Sequence, residues 1–304
     1  MGLTVPFNGV ALADHAELFR RAEGAGYHDL WSAETTGADG FTPLAAAAVQ
    51  TERLRLVTGI VNPFTRGPAL LAQQAAALAD LSRGRFVLGL GSSSNVIVER
   101  WNEVRFEKPL SKVREAVATM RSVLSGGRGP GGFKLEMPPA HEVPIVVAAL
   151  RGKMLALAAE VADGAFTNLV PLSGLPQVAD AYGSDKELAC RLFCAPQPED
   201  EAMGLVKFMF AAYGTVPVYS EFYRWLGWGE RVDPMIEAWN AGDRAKALEL
   251  VPEDLVREIF VFGSPEQMRE RLDAFVERGV STLVLTPLCD PEQLPAFIDG
   301  LAPR

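Results

Sequence analysis

The chain has 304 residues, of which 48% are hydrophobic, and its 29 lysines and arginines against 38 aspartates and glutamates give a net charge of −9 at pH 7. This acidic balance argues against a nucleic-acid binder and against a polybasic membrane-surface protein. The length and the apolar fraction allow one large core without disulfides, and we expect a single domain over residues 1–304.

The amino terminus has neither a basic start nor a long apolar run, so it does not resemble a signal peptide. No apolar stretch approaches the roughly 20 residues that a membrane helix needs. We therefore expect a cytoplasmic protein. The three histidines have no metal-ligand spacing, and the odd number of cysteines is typical of free buried thiols in a reducing compartment. No metal site is predicted.

The first half of the chain alternates short β-branched or apolar runs with longer helical patterns. Strands are predicted at residues 3–5, 29–32, 55–59 and 85–89. The first helix is expected to begin at Asp14, because Glu17 three residues later completes a capping-box pattern, and to end near Gly26.

The second half repeats this alternation, with predicted strands at residues 144–148, 164–167, 188–194 and 281–285. The last predicted helix begins with Ser264 as cap, Pro265 at the first helical position and Gln267 completing a capping box. Residues 196–260 are helical in pattern and rich in aromatic side chains, and they are too long for one return helix. This insertion is expected either to cover a substrate pocket or to form an extra helical layer or a dimer contact.

About eight strand–helix units match the count of a closed (β/α)8 TIM barrel with a helical insertion before the last strand. An open doubly wound sheet has the same alternation, but the pattern favours the barrel. In such a barrel the active site lies on the loops that follow the strands, so the residues directly after each strand are the candidates for function.

Among those loops, Glu34 is the best-placed carboxylate and is predicted to be catalytic; the alternative is an anchor that binds loop amides. Asp39 is expected to cap the following helix. Residues 91–94 and 149–152 offer small residues and backbone amides ahead of helices, which favours an anion. The dinucleotide pattern of three glycines fails at Ser94.

The sequence resembles the luciferase-like monooxygenase superfamily, and its deazaflavin-dependent branch most closely. The resemblance rests on the order and spacing of residues 31–34, 41–44, 51–68, 84–93 and 162–164. It implies a non-proline cis peptide at Gly59–Ile60 behind the deazaflavin ring and a phosphate site after the fourth and fifth strands. The predicted cofactor-binding residues are Gly59, Ile60, Val61, Asn62, Gly91, Ser92, Ser93, Ala149, Leu150, Arg151 and Gly152.

The resemblance implies hydride transfer between a deazaflavin, coenzyme F420, and an organic substrate that the sequence does not identify. Glu34, or water ordered by Glu34 and Asn62, would supply a proton. Sugar-phosphate dehydrogenases of this branch carry a histidine and a glutamate where this chain has Thr35 and Ser94, so their substrate is not carried over. An FMN-dependent monooxygenase and a cofactor-binding barrel without catalysis stay open as alternatives, and so does a homodimer.

Overall fold

Eight parallel strands close into a barrel in the computed structural model, which describes residues 1–303. Each strand pairs with the next one along the chain, and the last long strand pairs with both the seventh and the first. A two-residue strand extends one edge of the seventh. The strands are β1 (Gly2–Val5), β2 (Asp29–Ser32), β3 (Arg55–Thr58), β4 (Phe86–Leu90), β5 (Ile145–Ala148), β6 (Gly164–Asn168), β7 (Glu187–Ala195), β8 (Val261–Phe262) and β9 (Thr282–Pro287).

Helices surround this barrel, and the predicted TIM-barrel fold is confirmed. They are α1 (Ala16–Gly24), α2 (Thr42–Ala48), α3 (Pro68–Leu81), α4 (Pro109–Leu124), α5 (Gly152–Val161), α6 (Leu175–Tyr182), α7 (Glu199–Gly214), α8 (Pro217–Trp225), α9 (Gly229–Asn240), α10 (Arg244–Glu249), α11 (Glu253–Ile259), α12 (Pro265–Glu277) and α13 (Leu294–Gly300). Helices α7–α11 form the insertion between β7 and β8.

The two predicted capping boxes have different outcomes. At α12 the Ser264 hydroxyl accepts from the Gln267 amide and the Gln267 side chain accepts from the Ser264 amide, as predicted. At α1 the prediction is wrong, because His15 occupies the cap position and Asp14 lies in a preceding 3-10 turn. His15 is fully buried, and its Nε2 accepts from the Phe7 amide at 2.8 Å. Packing of this ring therefore fixes where the helix begins.

Side chains alternate between two cores along each strand. On β7, Leu188, Cys190 and Leu192 face the helices, whereas Ala189 and Arg191 point into the barrel. Inside the barrel one apolar cluster fills the middle: Trp31, Val57, Val87, Val146, Phe166, Ala189 and Val284. The barrel is thus plugged at its centre, and polar side chains lie at either end of the plug.

At the amino ends of the strands, the polar side chains form a complete ion-pair network. Arg55 Nε lies 2.7 Å from Asp29 Oδ1, and Arg55 Nη2 lies 2.5 Å from Glu187 Oε1. The Thr282 hydroxyl also donates to Glu187, at 2.6 Å. Arg55, Asp29, Glu187 and Thr282 come from four different strands, so these contacts link β3, β2, β7 and β9 at the barrel floor.

The insertion packs on the opposite end of the barrel, over the carboxyl ends of β6 and β7. The Tyr223 hydroxyl of α8 donates to the Leu169 carbonyl at 3.3 Å, and Tyr213 of α7 packs on Phe193 with ring centroids 6.1 Å apart. Within residues 1–303 no single helix is long and apolar enough to span a membrane. Helices α7 and α8 reach that length and apolarity only together, across a 95° bend.

Candidate active site

The loops that follow β2, β3, β4, β5 and β6 lie together at the carboxyl ends of the strands, and we call this end of the barrel the mouth. Adjacent parallel strands bring these loops together, since β4 pairs with β5 through Leu90 and Val147, and β5 pairs with β6 through Ala148 and Phe166. The candidate residues from separate parts of the sequence therefore meet at one end of the barrel, as in other barrels of this type.

The loop after β3 forms one wall of the mouth. Its Gly59–Ile60 peptide is cis, as the resemblance implies. A side chain at Gly59 would crowd Trp31 and Phe166, whose ring carbons lie 3.2 and 3.3 Å from the place of its first carbon. Glycine at this position lets the loop after β3 pack directly against the apolar plug.

Asn62, which was predicted to order water, anchors the same loop. Its Oδ1 accepts hydrogen bonds from the amides of Phe64 and Thr65 at 3.1 and 3.0 Å and from the Thr65 hydroxyl at 3.1 Å. The residue is 3% exposed. These contacts form a local Asx-type turn that fixes the loop after β3.

The predicted phosphate loops are neighbours at this rim. A Cβ on Gly91 would lie 2.9 Å from side-chain atoms of both Ala148 and Ile60, so the chain after β4 runs directly beside β5 and the loop after β3. Ser93 has a φ of +61°, and no side chain in residues 1–303 caps the amino end of α5. The rim therefore presents backbone amides to this side of the mouth.

Glu34 lies between the loops after β2 and β3, and its two oxygens are already engaged. Arg66 donates to them through Nη1 and Nη2 at 2.6 and 2.5 Å, and the Gly40 amide donates at 2.7 Å. Both charged side chains are mostly buried, with 16% and 12% exposure. These contacts match the anchor alternative, and a catalytic role for Glu34 would require this ion pair to open.

Asp39 caps α2, as the sequence predicts. Asp39 accepts from the amides of Phe41 and Thr42 at the start of α2, at 2.8 and 3.1 Å. His15 is part of the buried core. Within residues 1–303 no group of three or more His, Cys, Asp or Glu side chains is arranged to hold a metal ion.

Arg191 is the polar side chain of the mouth that sequence reasoning missed. It points inward from β7, is 8% exposed, and its guanidinium lies 5.3 Å from the centroid of the Phe166 ring. Its Nη2 donates to the Gly59 carbonyl at 2.5 Å, and its buried Nε has no hydrogen-bond partner. Burial lowers the pKa of this guanidinium, although neighbouring Tyr213 and Tyr219 partly oppose that shift.

Asn168 is the neighbour of Arg191 on the adjacent strand, because these two residues are paired in the register of β6 and β7. Its Nδ2 donates to the Tyr219 hydroxyl at 2.7 Å, and its buried Oδ1 has no partner. Burial raises the pKa of Tyr219 to about 12, so the phenol keeps its proton at neutral pH. The mouth thus contains a guanidinium, an amide and a phenol with unused hydrogen-bonding capacity.

The insertion also reaches the predicted phosphate loop after β5. Arg151 Nη1 lies 3.3 Å from Glu221 Oε2 of α8, and both side chains are more than two-fifths exposed. One nine-residue helix therefore contacts the rim at Arg151 and the interior of the mouth at Asn168. The insertion therefore lies over the mouth, which is the position expected of a segment that covers a substrate pocket.

A separate surface cleft lies at the other end of the molecule. It has a volume of about 340 Å³ and is lined by residues such as Arg121, His141 and Glu142, before β5. The Arg121–Glu142 ion pair there is long, at 3.8 Å, and Glu142 is 84% exposed. This end of a barrel serves stability rather than chemistry, so we place the candidate site at the mouth.

Comparison with known proteins identifies a family and several relatives of this chain. The family model for luciferase-like monooxygenases matches residues 3–282. The chain is 29% identical, over 90% of both proteins, to a putative coenzyme F420-dependent oxidoreductase of Mycobacterium tuberculosis.

Solved structures show the same fold. The coenzyme F420-dependent tetrahydromethanopterin reductase of Methanopyrus kandleri superposes with a TM-score of 0.77 at 22% identity, over 99% of this chain and 97% of that one. The oxygenating component of 3,6-diketocamphane monooxygenase from Pseudomonas putida, a type II Baeyer–Villiger monooxygenase in complex with FMN, gives 0.72 at 18%, over 99% and 96%.

Proposed function

The chain belongs to the luciferase-like monooxygenase family, and we propose that it is an oxidoreductase that transfers a hydride between coenzyme F420 and a small organic substrate. The similarity to the mycobacterial relative, which extends over nearly the whole chain, supports the choice of cofactor. The location of the site at the mouth follows from the position of the rim loops.

The observation that carries this proposal is the pair of buried atoms without partners, Arg191 Nε and Asn168 Oδ1. Buried polar atoms are nearly always paired, and one left alone costs about 1–3 kcal/mol. A donor and an acceptor on adjacent strands, above an apolar plug that includes Phe166, suit a planar ring with a polar edge. This arrangement supports a tricyclic ring cofactor at the mouth, and the F420-dependent relative favours the deazaflavin among such rings.

In this assignment the protein positions the cofactor and the substrate. Bound at the mouth, the deazaflavin would supply a carbon that accepts or donates a hydride. The backbone at Gly59 and Ile60 would support one side of the ring. The Gly91 amide donates to the Val61 carbonyl at 3.1 Å, so the amides of Ser92, Ser93 and the start of α5 would hold the phosphate. Tyr219 and the insertion would exclude water above the ring.

Cofactor choice is tested by titrating the purified protein with coenzyme F420, FMN and NADPH while following ligand fluorescence. We expect coenzyme F420 to bind in the micromolar range and NADPH not to bind. Micromolar binding of FMN without a response to coenzyme F420 would instead support the monooxygenase alternative. Oxygen consumption with reduced FMN would then be the confirming measurement.

The phosphate loop is tested with Arg151→Met and, as a control, Arg114→Met. Both arginines form exposed ion pairs with a glutamate, but Arg114 pairs with Glu160 away from the mouth. We expect Arg151→Met to weaken coenzyme F420 binding about 3–10-fold, as loss of one exposed charge near a phosphate would, and Arg114→Met to leave it unchanged. Equal effects of the two substitutions would contradict the assignment.

Binding without turnover across a broad substrate panel would favour a barrel that has lost catalysis.

A further inference from the structure

The guanidinium of Arg191 is a buried charge for which the protein supplies no counter-charge. No carboxylate in residues 1–303 forms an ion pair with it, and its one hydrogen bond to a described residue is to the neutral Gly59 carbonyl. Burying an ion is strongly unfavourable unless it is paired and fully hydrogen-bonded. A side chain held in this state indicates that its partner is a ligand.

The groups around Arg191 are arranged to add donors rather than a negative charge. Asn168 lies beside it in register, and the Tyr219 hydroxyl lies 2.7 Å from Asn168 Nδ2. Burial raises the pKa of Tyr219 to about 12, so this phenol is protonated at neutral pH. Guanidinium and phenol groups together select an oxyanion, and the planar guanidinium fork suits one whose charge is spread over two atoms.

We propose that Arg191, with Asn168 and Tyr219, forms a binding site for a planar delocalised oxyanion at the mouth of the barrel. This proposal rests on the proposed function, because the two possible sources of the anion are the substrate and the cofactor of that reaction. The anion is either a carboxylate or enolate of the substrate, or the conjugated amide edge of the reduced deazaflavin. Both present the same chemistry to Arg191, and binding experiments distinguish them.

The matched control for Arg191 is Arg271 of α12. Its guanidinium also lies near a phenylalanine ring, 5.7 Å from the centroid of Phe275, and its Nη2 also donates to a main-chain carbonyl, that of Arg257, at 2.8 Å. Burial lowers the pKa of Arg271 as well. Arg271 lies outside the barrel and is half-buried, so the pair Arg191→Met and Arg271→Met separates the site from an arginine with similar contacts elsewhere in the fold.

The first measurement uses the protein without ligand. Because Arg191 is unpaired, Arg191→Met is expected to raise the midpoint of thermal unfolding by about 2–4 °C, whereas a structural cation would lower it when removed. Arg271→Met is not expected to raise the midpoint. A fall for Arg191→Met of the same size would show that the fold itself requires the charge, and would overturn the proposal.

The second measurement determines dissociation constants for four probes: oxidised and reduced coenzyme F420, benzoate and its neutral analogue benzamide. If the substrate supplies the anion, Arg191→Met weakens benzoate at least tenfold, with benzamide and both cofactor forms unaffected. If the cofactor supplies it, the same substitution weakens the reduced form at least tenfold more than the oxidised form. Arg191→Lys keeps the charge without the fork and should give a smaller loss than Arg191→Met.

An unchanged affinity of Arg191→Met for both benzoate and reduced coenzyme F420 overturns the proposal. So does an equal loss in Arg271→Met. Failure of the proposed function is a different result: the unsubstituted protein would then bind neither cofactor form, while the comparison of benzoate with benzamide would still test the anion site.

Discussion

Two arginines point into the same barrel from opposite ends, and their surroundings are opposite as well. Arg55 at the amino ends of the strands meets two carboxylates, Asp29 and Glu187. Arg191 at the carboxyl ends meets a carbonyl, an aromatic ring and atoms without partners. One end satisfies its charges internally and serves stability, whereas the other leaves hydrogen-bonding capacity for a ligand.

This contrast explains why charge alone does not identify a functional site. Burial by itself would lower the pKa of Arg55, but Glu187 and Asp29 outweigh it and the pKa is raised. At Arg191 burial outweighs its neighbours and the pKa is lowered. The difference follows from the contacts, because Arg55 has two carboxylates and Arg191 has none within hydrogen-bonding distance among the described residues.

The largest expected effect is on the paired end. Arg55→Met leaves Asp29, whose side chain is 4% exposed, without its counter-ion, and we expect the free energy of unfolding to fall by about 3 kcal/mol. This is the low end of the usual range because the Arg55 side chain is 34% exposed. Denaturant unfolding measures the change. We expect Arg191→Met to raise the free energy of unfolding. If Arg55→Met raised it as well, the two ends of the barrel would not differ.

Acid should weaken the paired end selectively. Burial alone would raise the pKa of Glu187, but Arg55 and Thr282 outweigh it, so the pKa lies below its ordinary 4.5. A carboxylate with a lowered pKa stabilises the fold above its unfolded-state pKa, and this contribution is lost as the pH falls through the folded-state value. Unfolding between pH 5 and 2 should therefore depend more weakly on pH in Glu187→Gln. An identical pH dependence would exclude Glu187 as a contributor.

The two ends can also be made alike. Asn168→Asp places a carboxylate beside Arg191 in the β6–β7 register, and Tyr219 can then donate its hydroxyl proton to that carboxylate. We expect the ligand-free protein to become more stable and the affinity for an anionic ligand to fall about tenfold, which is about 1.4 kcal/mol. Asn168→Leu is the control and should not stabilise the protein. A gain in anion affinity in Asn168→Asp would contradict the assignment.

The smallest effect concerns neither end. Ser264→Ala removes the hydroxyl that caps α12, and we expect a loss of about 1 kcal/mol in unfolding free energy without a change in ligand binding. Ser264→Thr keeps the hydroxyl and should recover most of the loss. If Ser264→Ala changed the affinity for coenzyme F420, a loss of stability far from the mouth would be enough to alter ligand binding. The binding effects of the other substitutions could then not be assigned to the mouth.

The periodicity of the sequence predicts most of the barrel because strand residues facing both cores are apolar and bounded by glycine or proline. Predicted strands such as residues 29–32 agree with β2 (Asp29–Ser32), but the two-residue β8 gives no periodic signal. The cap at Asp14 was wrong because a buried contact of His15 overrides the local preference. Long-range packing of this kind is not visible in local sequence.

Site residues were predictable to the extent that they lie on rim loops. Gly91 and Asn62 were proposed because they follow strands and Gly59 because of the family resemblance, whereas Arg191 lies within an apolar strand and was missed. A signal for it exists: Cys190 and Cys194 face the helices, so the odd-numbered Arg191 must face inward. The Glu34–Arg66 ion pair joins residues 32 positions apart, and no spacing rule indicates it.

The alternation of inner and outer side chains along each strand has a practical consequence for directed evolution. Exchanges at Asn168 and Arg191 on the strands, or at Tyr219 of α8, change the side chains of the mouth, while the layer between strands and helices that holds the barrel closed keeps its composition. A small combinatorial library limited to these positions would therefore explore new specificities on an unchanged scaffold, and most of its members should fold.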